Sequence, residues 1–238
     1  MSIDGHKTNL ICPLFRMNFL NCANTLFRTQ QQYSLLWNVT ERLIEIMIQY
    51  FNPGERRALY EFTSSLQDLL EKNDYTDREI VLVCIGSDRA TGDCLGPITG
   101  HKLNRFRGER YKKSFHIYGT LENPIHAKNL EATIQSIHLY HPEALVIAID
   151  ASLGIVEHVG YITLGEGSLC PGVGVDKTLP AVGDIFITGI VNLSGFGSQM
   201  LLQTTHLNLV MQLADFISLG ISRCLLRSKL RPALKCAE

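Results

Sequence analysis

Between Val81 and Gly100 the sequence reads VLVCIGSDRATGDCLGPITG: a short unbroken apolar run, a loop of small and polar residues, and a restart with helical character after Gly96-Pro97. An apolar run without alternation suits a strand covered on both faces. Ala144 to Gly154, ALVIAIDASLG, repeats the plan of apolar run, aspartate and small residues. Strands of this type separated by helical segments predict an α/β layer fold. They also put Asp93 and Asp150 at one end of a parallel sheet, where functional groups gather beyond the carboxyl ends of the strands.

The flanking segments read as follows. Residues 1–34 have no clear period. Leu36, Val39, Leu43, Met47 and Tyr50 recur at helical spacing and predict a helix stopped by Asn52-Pro53-Gly54. Leu59, Phe62, Leu66, Leu69 and Leu70 predict a second helix, and the charged stretch KNDYTDRE (72–79) marks the expected domain boundary. Strands are expected at 80–86, 114–119, 144–151, 159–167 and 184–192. Helices are expected at 97–106, 126–141 and 198–219, with a Gly-rich loop at 170–180. The chain thus divides into a partly helical extension (1–76), an α/β domain (77–222) and a basic, solvated tail (223–238).

Composition narrows the function. With 22 Lys+Arg against 23 Asp+Glu the chain is nearly neutral, which argues against nucleic acid as a partner. The seven cysteines are widely spaced and contain no CxxC, a usage that fits a reducing, cytoplasmic compartment and no structural zinc site. The apolar run LICPLFRMNFL is broken by Pro13 and Arg16, so neither a signal peptide nor a membrane association is expected. Neither GSDRATGDCLGP nor PGVGVDK has the spacing of a phosphate-binding loop. The apolar N-terminal helices offer a surface for a second copy.

The crevice rule selects Asp88, Arg89 and Asp93 after the first strand, Glu122 and His126 after the second, Asp150 on the third, and Asn192 and Ser194 after the fifth. Two carboxylates brought close together cannot both ionise freely, so one holds a proton while the other accepts one. That division of labour suits amide hydrolysis. The same residues also have structural uses, since an aspartate after a strand caps helices and closes Asx turns. Arg89 suits a substrate carboxylate, or an ion pair with Asp88. Asn192 and Ser194 suit an oxyanion, or the turn at Gly195.

The segments CIGSDRATGDCLGP, FHIYGTLENPIHAKNLE, IAIDASLG, CPGVGVDKTLPAVGD, ITGIVNLSGF and LQTTHLNLV resemble the YyaC family of sporulation proteins, described as spore proteases. The resemblance spans residues 80–220 and leaves the first 75 or so unmatched. More distantly the chain is similar to the spore germination protease and to hydrogenase maturation peptidases. That similarity implies a phosphorylase/hydrolase-like three-layer αβα sandwich on a mixed, mostly parallel sheet. It also implies a peptide or protein substrate in a sporulating bacterial cell. The germination protease's catalytic aspartates fall on Asp93 in TGDCLGP and Asp150 in IDASLG. The maturation peptidases add a histidine that completes a metal site; KTLPAVGDIFITGIVN (177–192) contains none, so no metal or other cofactor is expected in the crevice. The rivals to a peptidase are a partner-binding protein on the same fold and a metal-dependent maturation-type peptidase.

Overall fold

The computed structural model describes residues 48–75, 78–106, 115–172, 179–195 and 197–235. Its centre is a six-stranded sheet of order β1-β5-β6-β4-β2-β3, with β1 Ile48–Phe51, β2 Ile80–Cys84, β3 Phe115–Tyr118, β4 Leu145–Gly154, β5 Ile162–Glu166 and β6 Ile185–Leu193. β6, β4, β2 and β3 are parallel neighbours. β5 lies antiparallel to both β6 and β1, so it alone runs against the others. The helices are α1 Ala58–Lys72, α2 Leu95–Phe106, α3 Leu130–Tyr140, α4 Ser198–Gln203 and α5 Leu207–Lys235.

The unbroken apolar runs are explained by burial on two sides. Ile80, Leu82 and Cys84 of β2 and Leu145, Ile147 and Ile149 of β4 face one core with residues of α1, α2 and α5. Val81, Val83 and Ala148 face a second core with Leu130 and Ile137 of α3. This is the three-layer αβα sandwich on a mixed, mostly parallel sheet. Burial pushes the Cys84 thiol up to about 12, as an inert core thiol requires.

Four expectations need correction. Ile48–Phe51 is an edge strand, not the end of a helix. Its buried residues Ile48 and Phe51 are three apart, which satisfies a helical period. On a strand the same interval sends them to opposite faces, and they enter the two different cores. The rest of that predicted helix lies outside the described residues. Second, 72–79 is no domain boundary. β1 pairs with β5, and α1 buries Phe62, Leu66 and Leu70 in the core shared with α5. Third, the closing helix is two helices, broken at Thr204–His206, and the second continues to Lys235, so residues 223–235 of the stretch read as a tail are helical. Fourth, β4 continues to Gly154, so Asp150 sits inside the strand and not at its end. No helix among the described residues is long and apolar enough to cross a membrane.

Phe62 joins the added elements to the domain. Fully buried, it meets Phe51 of β1 edge-on with centroids 5.4 Å apart and Phe216 of α5 at 5.5 Å. A β-carbon at Gly220 of α5 would lie 2.5 Å from its ring. Truncating an aromatic side chain in such a pocket costs about 3–5 kcal/mol. Phe62→Ala is therefore expected to lower unfolding stability by that amount in urea titration. A loss below about 1 kcal/mol would mean that 48–72 does not belong to the core.

Candidate active site

Asp93 and Asp150 open onto one cavity of about 310 Å³. Its floor is the carboxyl end of β2 and the loop after it. Ile85 N–H donates to Ile149 O at 2.7 Å, and Gly86 N–H donates to Ile125 O at 2.7 Å, so the chain past β2 stays stitched to its neighbours. The loop then folds back on itself. Asp93 N–H donates to Ala90 O at 3.0 Å and Ser87 N–H to Asp93 O at 3.1 Å, which closes the 3-10 turn Gly92–Cys94. Gly86 permits the closure. Its φ is +138°, and a β-carbon there would stand 2.0 Å from Asp93 O.

The two carboxyl groups have different surroundings. Asp150 is 8% exposed. Burial drives its pKa well above the ordinary aspartate range and the charge of Asp93 adds to the rise. The Ala151 N–H, 2.8 Å from Oδ1, opposes the shift without cancelling it. Asp93 is half-buried, nearer to water. The two groups therefore differ in setting: Asp150 is a buried carboxyl held in its protonated form over a wider pH range than an ordinary aspartate, and Asp93 is the more accessible of the two. Beyond Asp150, on the same side of β4, a row of buried hydroxyls links Ser152 to Thr188 at 3.1 Å and Thr188 to Thr163 at 2.7 Å.

The other expected residues divide. Arg89 and His126 line the cavity. Lys128 N–H donates to His126 Nδ1 at 3.3 Å, which leaves Nε2 as the nitrogen that carries the proton in the neutral ring. Asp88 is exposed and does not line the cavity. Glu122 lines a neighbouring groove of about 580 Å³, which shares His126 with the first. Asn192 and Ser194 are not brought to the pair. Asn192 Nδ2 donates to Leu201 O at 2.8 Å and Thr205 Oγ1 at 3.2 Å, tying β6 to the end of α4, and Ser194 N–H donates to Gly154 O at 2.8 Å. Asn192 thus ties the turn after β6 to α4, and neither residue lines the cavity.

Sequence reasoning did not find Lys128, Pro171, Leu179, Leu202 or Gln203, which wall the cavity from three separate segments. Only Lys128 left a signal, two residues past His126. Lys177, in the Gly-rich loop, lies outside the described residues. Cys94 adjoins Asp93, but burial, with the charges of Asp93 and Asp88 behind it, raises its thiol pKa, so it is no thiolate nucleophile.

Fold and site together define a class: an αβα sandwich with an acidic pair in a crevice at the carboxyl side of its sheet. The chain matches the model of the family described as "Protein of unknown function (DUF1256)" over residues 50–220. It is 46% identical, over 174 residues that make up 73% of this chain and 82% of the relative, to the Uncharacterized protein YyaC of Bacillus subtilis (strain 168). The chain belongs to this family. The match begins at residue 50 and so takes in the second half of β1 and all of α1, which the motif resemblance left out.

The raised pKa of Asp150 has a defined consequence for stability. The unfolded chain releases this proton near 3.8 and the folded chain only at higher pH. Between those values the folded state holds more protons, so stability falls as pH rises through the window and levels off above the folded pKa. Asp150→Asn removes the effect. Its melting temperature, measured against that of the wild type, is expected to climb across the window and reach a plateau. A difference that stays constant from pH 3 to pH 8 would show that Asp150 is not a buried carboxyl.

Proposed function

We propose that the protein is a peptidase of the sporulating bacterial cytoplasm that hydrolyses a peptide bond with Asp93 as base and Asp150 as acid. The observation that carries this reading is the shared cavity, with one carboxyl buried and raised in pKa and the other partly open to water.

In this mechanism a water molecule between the two groups gives a proton to Asp93 as its oxygen attacks the scissile carbonyl carbon. Asp150 delivers its own proton to the carbonyl oxygen as negative charge develops there, in a site where burial strengthens the interaction. The tetrahedral intermediate then collapses. The proton held by Asp93 passes to the leaving amine, the C–N bond breaks, and a hydroxyl proton of the intermediate returns to Asp150. Arg89 and Lys128 at the rim suit the backbone carbonyls or acidic side chains of an extended peptide, and His126 Nε2–H suits a further carbonyl.

Activity requires Asp93 ionised and Asp150 protonated, so the rate against pH is expected to be bell-shaped, and its basic limb to fall as pH passes the raised Asp150 value. Incubation of the purified protein with an extract of sporulating cells, followed by mass spectrometry of new N-termini, measures cleavage. Asp93→Asn and Asp150→Asn are each expected to lose at least ~100-fold of that cleavage while still folding. Equal cleavage by both variants, or none by the wild type, removes the peptidase reading.

A further inference from the structure

At the opposite, amino end of the parallel strands, three side chains with good metal-ligating atoms converge from separate segments. Glu79 immediately precedes β2, His116 is the second residue of β3, and His141 lies in the turn between α3 and β4. His141 Nδ1 stands 2.7 Å from Glu79 Oε2, and His116 Nε2 stands 3.6 Å from Glu79 Oε1. One ligand atom from each of the three lies within 4.8 Å of the others. We infer that Glu79, His116 and His141 form a binding site for a divalent transition-metal ion of the zinc type, which clamps the amino ends of β2 and β3 to the turn that leads into β4.

The donor set is two imidazoles and a carboxylate, a combination that zinc takes with ligand distances of about 2.0–2.2 Å. Such distances place ligand atoms roughly 3.3 Å apart in a tetrahedral arrangement. The present separations lie on both sides of that value, and Glu79, at 57% side-chain exposure, is the member free to adjust. The remaining nitrogen of His141, Nε2, is 3.1 Å from the Tyr118 hydroxyl. Metal-bound histidines ordinarily have their other nitrogen held by such a partner, which fixes the ring and its tautomer.

The two rings lie close and tilted to one another, with centroids 4.1 Å apart and planes inclined at 38°. A dication uses both neutral rings and the carboxylate together. Three protein ligands leave at least one coordination position to water on the solvent side. The site stands apart from the aspartate crevice and does not depend on the peptidase reading.

The test uses the full chain, stripped of metal and titrated calorimetrically with ZnCl₂, with its melting temperature followed in parallel. The wild type is expected to bind one equivalent and to melt higher as zinc is added. His116→Gln, at a ring only 32% exposed but not in the apolar core, is expected to keep the metal-free melting temperature and to bind this equivalent at least ~100-fold more weakly. Tyr118→Phe is expected to weaken it about 10-fold, as loss of an outer-shell partner does. His141→Gln repeats the test at the more buried ring, and if it fails to fold His116→Gln alone decides. The proposal is overturned if the wild type takes up no zinc, or if His116→Gln binds the same equivalent with the same affinity and the same rise in melting temperature.

Discussion

The close seat of α2 on the ends of β2 and β3 is the constraint on which the rest of the site depends. A β-carbon at Gly96 would lie 2.0 Å from Ile85 O, and one at Gly100 would lie 1.9 Å from Gly119 O. These two residues are four apart and share a helix face, so the helix backbone presses directly on strand backbone for a full turn. The chain before the helix must then turn back across the end of β2. That return carries Asp93 to the cavity it shares with Asp150, its carbonyl against Gly86. The position of the first aspartate is a packing result, set by residues that carry no chemistry themselves.

The second aspartate is placed by a different means. β4 runs four residues beyond Asp150, with a register shift between Ser152 and Leu153, and pairs with β6 over that length. The carboxyl is therefore held inside the sheet face and loses water. Arg89 and Lys128 stand at the exposed rim, where solvent screens them, and neither offsets the burial. What raises the pKa of Asp150 is thus mostly desolvation, with the neighbouring charge second. An arrangement in which the cations reached the buried carboxyl would pair it, lower its pKa and leave it with no proton to give.

How much of this was legible in the sequence follows from how each element is buried. β2 and β4 were readable because burial on both faces leaves an unbroken apolar run that few other elements produce. β1 was not, because an isolated pair of buried residues three apart satisfies either period, and only the partner strand β5 decides between them. The extent of α5 was hidden by Arg223, Arg227, Lys229, Arg231 and Pro232, which read as a tail although the helix continues through them to Lys235. Asn192 was readable as a polar residue at a strand end but not as an anchor, since Leu201 and Thr205 become its partners only when α4 folds back. The pair itself was legible from the rule about carboxyl ends. The walls of its cavity were not, because Pro171, Leu179 and Leu202 are brought there by tertiary contacts that leave no local pattern.

A parallel sheet gives its two ends different characters, and both ends of this one carry clustered polar side chains. The loop after β2 and Asp150 within β4 carry acidic groups to one cavity, while Glu79 before β2, His116 near the start of β3 and His141 before β4 gather two imidazoles and a carboxylate. The five residues of β2 alone span about 16 Å at the rise of a parallel strand. That is roughly twice the screening length at physiological ionic strength, so direct charge coupling between the ends is weak through solvent. Any coupling must pass through the packing of β2 and β4, which are largely buried. The histidine cluster bears on where those strands begin, and the acidity of Asp150 belongs to its own end of the sheet.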